Sequence, residues 1–218
     1  MNNINNKKDT KIYKIDLTYY DLKKHDDKIN NKIKETESYS ENFDKMNKQN
    51  KEKYYGYLCE FIIDDFFKEF QLSDKTDFPY DFKYEKNGKT IYIDLKNIYS
   101  WRDRDVNFIT KFPQKYNNNT KTSKGFCKYI EEKQVKRSEN FLIKNNIDFK
   151  NFYYCISYLS LKDKKELIVV FSKKGRMDNI LKWSAVEENP FKSNGSSISI
   201  KNYIISDIYE NFEIINIS

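Results

Sequence analysis

"YDFKYEKNGKTIYIDLKN", residues 80–97, sets two alternating runs on either side of Asn87-Gly88. Asn-Gly between such runs is the strongest short-range hairpin signal, because a two-residue type I′ turn needs positive φ at both positions. The turn fixes the register. Lys86 faces Lys89, Glu85 faces Thr90, Lys83 faces Tyr92 and, continued outward, Asp81 faces Asp94. Alternation puts Asp81, Asp94 and Lys96 on one face and Phe82, Ile91, Ile93 and Leu95 on the other. The apolar face is expected to be core and the other a charged cluster.

Directly opposed residues hold their Cβ atoms roughly 4.5–5.5 Å apart, and like charges there destabilise a hairpin. Lys96 is one source of compensation, and a divalent cation is another. Two converging carboxylates are the oxygen ligands that a hard ion such as Mg²⁺ takes, alongside water and phosphate. A lysine two residues along the same strand can act on a water and offset charge developing on phosphorus. The plain alternative is a solvated outer face on which Asp81, Asp94, Lys83 and Lys96 pair off, each exposed pair worth little.

Upstream, "KYYGYLCEFIIDDFFKEFQ" (residues 53–71) spaces Tyr54, Leu58, Phe61, Ile62 and Phe66 as the apolar stripe of an amphipathic helix. Glu60 and Asp64 sit one turn apart on its flank, an unfavourable like-charge pair on an isolated helix.

These residues resemble the PD-(D/E)XK nucleases, above all the type II restriction endonucleases, in which an acid near one strand is followed across a hairpin by D/E-x-K. Asp81 matches the first acid, "DLK" supplies Asp94 and Lys96, and Glu60, with Asp64 as alternative, matches the acid many members carry on the preceding helix. Pro79 is displaced by one residue from the family's Pro-Asp pair, and "DFK" (Asp81, Lys83) is a second D-x-K. The resemblance spans residues 54–97. It implies an α/β (α+β) restriction-endonuclease-like fold, a mixed central β-sheet flanked by helices. It further implies Mg²⁺, with Mn²⁺ as a substitute, held by Asp81, Asp94, the Leu95 backbone carbonyl and Glu60. Double-stranded DNA would be cut at a specific sequence by a homodimer, with a cognate DNA methyltransferase as genetic partner.

The remaining chain is expected to form one nuclease domain over residues 51–218, preceded by a polar arm, residues 1–50, helical or partly ordered, with a short strand or helix around "KIYKIDLTYYDL". A helix is predicted over 126–145 with Ile130, Val135, Phe141 and Leu142 on its apolar face. Strands are predicted at "NFYYCISYLSL", "KELIVVFS", "SSISIKNYII" and "NFEIINIS", and a short helix at "DNILKWSAV".

Lys and Arg number 40 against 33 Asp and Glu, a balance that suits a polyanionic partner. A/T-rich codon usage would spread lysines evenly, yet the excess is confined to residues 96–137, which hold eleven Lys/Arg against four acids. Within that segment Arg102, Arg104, Lys111, Gln114, Lys115, Asn117, Asn118, Asn119, Lys121 and Lys124 are candidates to contact DNA phosphates and base edges. "SNGSS" (residues 193–197) is a further candidate DNA-facing loop, equally explained as turn chemistry. The alternative for the whole segment is a solvated surface.

Three cysteines, Cys59, Cys127 and Cys155, fit neither a disulfide framework nor a zinc site and are expected to be reduced and half-buried. His25, the only histidine, is expected at the surface. No phosphate-loop, dinucleotide or serine-hydrolase motif is present. No apolar run reaches the 18 or so residues of a membrane span and the first residues lack a signal peptide's apolar centre, so a cytoplasmic protein is expected. The alternatives to a restriction enzyme are a junction resolvase, a repair or mobile-element nuclease of the same fold, and a non-catalytic nucleic-acid-binding module.

Overall fold

The structure, a computed structural model, describes residues 10–34, 46–73, 78–98, 127–161, 165–181, 187–189, 200–206 and 212–217. The Asn87-Gly88 turn has the form the sequence demands, with φ of 52° and 70°. It joins β3 (Phe82–Lys86) to β4 (Lys89–Ile98) in the expected register, from Lys86 opposite Lys89 to Phe82 opposite Ile93.

That hairpin lies toward one side of a seven-stranded mixed sheet in the order β10-β1-β7-β6-β4-β3-β2. The other members are β1 (Thr10–Asp16), β2 (Gln71–Leu72), β6 (Phe152–Ser160), β7 (Glu166–Ser172) and β10 (Phe212–Ile217). The β4–β6 and β1–β10 pairs are parallel, and the others are antiparallel. A separate three-stranded sheet comprises β5 (Cys127–Glu131), β9 (Ile200–Ser206) and β8 (Glu187–Asn189), in that order.

Helices cover both faces of the large sheet. On one, α1 (Asp26–Ile33) and α2 (Lys48–Phe66) bury Ile29, Ile33, Leu58, Phe61 and Ile62 against Ile15, Phe82, Ile93 and Val169. On the other, α3 (Glu132–Lys144) and the short α4 (Met177–Ile180) bury Val135, Leu142, Met177 and Ile180 against Ile12, Tyr154, Ile156 and Val170. Each such side chain, fully buried, contributes about 1.5–3 kcal/mol. The N-terminus of α2 is capped by Asn47, whose side chain accepts from the Asn50 amide at 2.8 Å, a device worth about 1 kcal/mol.

Several expectations are corrected here. Residues 10–34 are not an appended arm. In "TKIYKID" Ile12 and Ile15 are fully buried on opposite faces of the sheet, so β1 is an interior strand between β7 and β10. The helix expected over 126–145 begins at Glu132, because residues 127–131 pair with β9 and put Ile130 in a strand. Nor is the Asp94 face of the hairpin a solvated surface: Tyr80, Tyr92 and Phe141 pack over it, and Asp94 is 8 % exposed. Cys59 and Cys155 are fully buried rather than half-buried, and burial pushes the Cys59 thiol up to about 12. Among the described residues no helix is long and apolar enough to cross a membrane.

Candidate active site

At the open end of the hairpin the ladder stops one residue short of Asp81. The Asp81 amide donates to the Ile93 carbonyl at 2.8 Å, although Phe82 is already the partner of Ile93 in the register. Two residues of one strand therefore meet one of the other, the count of a β-bulge. Asp81 is thus not a simple cross-strand partner of Asp94, as the register had projected. The kink turns its side chain along the strand, where Oδ2 accepts from the Leu95 amide at 2.7 Å.

The two aspartates still converge, close enough for each carboxyl to act on the other. Lys96, two residues along β4, closes on Asp94 with Nζ 2.7 Å from Oδ1, and both side chains are mostly buried, at 16 % and 12 % exposed. The Lys96 ammonium also sits 5.7 Å from the centre of the Tyr154 ring, whose hydroxyl donates to Ser138 of α3 at 2.7 Å. This ring and the Asp94 carboxylate fix the lysine from two sides.

Glu60 approaches from α2, on the element covering the opposite face of the sheet. It is close enough for electrostatic coupling to Asp81, Asp94 and Lys96. Burial pushes its carboxyl up to about 7; Lys32 of α1 and Lys96 pull the other way, and Asp94 adds to the rise. Asp81 is held well above the usual carboxylate range by burial, then by the charges of Asp94 and Glu60. Burial likewise raises Asp94, against the pull of Lys96 and Arg137. Three acids held back from ionising beside one lysine form a tightly coupled group, and perturbed carboxyls of this kind collect at functional sites.

Glu60, Asp81, Asp94 and Lys96 are therefore brought together, and Asp64 is not among the charges that act on them. Among the described residues no set of three or more Asp, Glu, His or Cys side chains is arranged to hold a metal ion. Glu60 thus stands outside a three-carboxylate cage, while one or two carboxylates suffice for Mg²⁺, which keeps several waters. The Leu95 carbonyl points to the same edge as its amide, where β3 has ended and Asp81 lies. Two carboxylates and a carbonyl are a hard oxygen donor set that fits such an ion.

Sequence reasoning missed Arg137 and Lys32, both of which act on the acids. Only the packing of α3 and α1 reveals them. It also misplaced His25, which is 5 % exposed, stacked on Phe61 at 4.9 Å and bonded through Nε2 to Asp65 at 2.8 Å. The candidate DNA contacts Arg102, Arg104, Lys111, Gln114, Lys115, Asn117, Asn118, Asn119, Lys121 and Lys124 lie outside the described residues, as does the "SNGSS" segment. A cavity of about 580 Å³ lies elsewhere, on the α2 face beside Tyr13, Phe70, Tyr84 and Phe171, and none of the four clustered residues lines it. No protein-family model, curated protein or solved structure matches this chain.

Proposed function

We propose that the protein is a metal-dependent endodeoxyribonuclease of the PD-(D/E)XK type, acting on double-stranded DNA as a type II restriction enzyme does. The observation that carries this reading is the convergence of Asp81, Asp94, Lys96 and Glu60 from a bulge, a strand and a helix. The mutual action of the two aspartates and the 2.7 Å ion pair between Lys96 and Asp94 support this reading.

Asp81, Asp94 and the Leu95 carbonyl would hold Mg²⁺, which supplies positive charge to phosphoryl oxygens and makes water more acidic when bound. The chain's own groups do the rest. Asp94 orients Lys96, whose remaining N–H groups can donate to the attacking water and to a phosphate oxygen, stabilising charge as it develops. Glu60, with its carboxyl near 7, can accept a proton from that water through the neutral range. The Leu95 amide steadies the Asp81 carboxylate. Water attack on phosphorus breaks the P–O3′ bond and leaves a 5′-phosphate and a 3′-hydroxyl.

Long unmethylated duplex DNA incubated with the protein, in Mg²⁺ or in EDTA, tests this. Discrete fragments that vanish in EDTA and with Lys96→Ala are expected. Cleavage confined to branched DNA would move the assignment to a resolvase, and binding without cleavage across several metals would leave a non-catalytic module.

A further inference from the structure

Lys28 and Lys32 stand one turn apart on α1, at the border of the face that buries Ile29 and Ile33 against α2. Their ammonium groups are held over the aromatic rings of α2. Lys28 Nζ lies 5.7 Å from the centre of Phe61, and Lys32 Nζ lies 5.2 Å from Phe61 and 5.0 Å from Tyr57. Tyr57 and Phe61 flank Glu60 on the same helix, three residues before it and one after. The two lysines are thereby fixed beside the root of the acid that reaches the Asp81–Asp94 pair, and Lys32 is the cation that acts most strongly on Glu60.

Apart from the pull of Lys32 on Glu60, their charge is left to face solvent. One turn earlier Lys24 is paired, with Nζ 2.9 Å from Asp65. Among the described residues Lys28 and Lys32 form no ion pair with a carboxylate, and both are exposed. An aromatic face attracts an ammonium but leaves its charge uncancelled and its outer N–H groups directed to solvent. Two such cations, pre-positioned on a rigid helix at the rim of an acidic cluster, answer the main electrostatic problem of that cluster. A polyanion must be brought to a site whose acids repel it when they ionise.

We propose that Lys28 and Lys32 form a phosphate-binding ridge that seats the DNA backbone on the Glu60 side of the scissile phosphate. The inference rests on the nuclease reading and adds to it a substrate contact on α1, outside the basic segment at residues 96–137. Each phosphate neutralised by a lysine contributes about 0.9 to the slope of log K against log salt on duplex DNA.

The test is fluorescence anisotropy with a labelled duplex between 50 and 200 mM salt, using Lys96→Ala protein so that the DNA survives. Lys28→Ala and Lys32→Ala are compared with Lys32→Arg and with Lys89→Ala. Lys89, at the hairpin turn, lies five residues along β4 from Asp94, roughly 17 Å at about 3.4 Å per residue. Each alanine variant on α1 is expected to weaken binding several-fold and to lower the slope by about 0.9, with Lys32→Arg and Lys89→Ala unchanged and melting temperatures preserved. Unchanged slopes, in a protein that binds and cuts DNA, overturn the ridge and leave the nuclease standing. A shifted pH profile of cleavage with an unchanged slope also overturns it, because Lys32 would then serve Glu60 alone. Reduced slopes in a protein that never cuts DNA support the ridge while removing the nuclease, and failure of the wild-type chain to bind DNA removes both.

Discussion

The Asp81 carboxylate takes the amide hydrogen of Leu95 at 2.7 Å, the donor a continued β3 would have approached through its backbone. The bulge at the end of β3 thus replaces a ladder bond with a side-chain bond, and in doing so brings an acid to the edge of β4. Everything expected of the site follows from this substitution of one acceptor for another.

Lys96→Ala and Asp94→Asn are expected to lower the rate of plasmid cleavage by about 10²–10⁴-fold, the usual contribution of a positioned acid–base group. Binding of DNA should persist in both. Full activity in Lys96→Ala, measured as conversion of supercoiled to nicked and linear plasmid, would exclude the lysine from the chemistry.

The three raised carboxyls give the metal-free protein a pH-dependent stability of definite sign. Asp81, Asp94 and Glu60 hold their protons more tightly when folded than the unfolded values of about 3.9 and 4.3. Their contribution is complete below about pH 4 and is lost as pH rises through the folded values, Glu60 at about 7. The urea midpoint in EDTA should therefore fall between pH 5 and pH 8. Asp81→Asn, which keeps an acceptor for Leu95, should flatten that fall, and Mg²⁺ should raise the midpoint more at pH 8 than at pH 5. A steeper fall in the variant would contradict the assignment.

Asp65 carries the opposite sign. It accepts from Tyr20 at 2.5 Å, Lys24 at 2.9 Å and His25 at 2.8 Å, and these bonds outweigh its burial to hold it well below the usual carboxylate range. Its stabilisation is present above the unfolded value of about 3.9 and disappears as acid titrates the folded group. Asp65→Ala leaves Tyr20 and His25 without their acceptor and should cost about 1–3 kcal/mol at neutral pH. Chemical denaturation reads this directly, and the loss should shrink toward pH 3.

Gly88 has φ of 70°, and a Cβ there would meet nothing within 4 Å. The expected cost of Gly88→Ala is therefore backbone strain alone, about 1–2 kcal/mol. Since Gly88 lies six residues from Asp94, cleavage per folded molecule should not change. A loss of activity exceeding the loss of folded protein would show that the turn itself takes part.

The hairpin was legible because its determinants are local: Asn87-Gly88 sets the twist and register, and period-2 alternation assigns the faces. The gathering of Asp81, Asp94 and Lys96 followed from that register, while the bulge at Asp81 did not, since it depends on how β3 ends beside β2. Glu60 was legible as a helix acid, but its burial and its coupling to Lys32 come from the packing of α1 on α2. The same packing buries His25, which "LKKHDDK" had suggested was solvent-facing. β1 was read as part of an arm because its lysines mask the two isoleucines that make it an interior strand. Lys11, Tyr13 and Lys14 interrupt the buried positions, so the segment lacks the continuous apolar run that marks a strand covered on both faces.

The parallel pairing of β1 with β10 matches Thr10 to Phe212 and Ile15 to Ile217, joining segments about two hundred positions apart. Contacts of such sequence separation carry a large loop-closure penalty and slow the folding of a sheet. Until β10 docks, β1 is a bare edge with an open row of amides and carbonyls, the template on which chains pair with one another. During synthesis that edge must wait for about two hundred further residues to be made, and the interval before β10 arrives leaves it open to pairing with another chain.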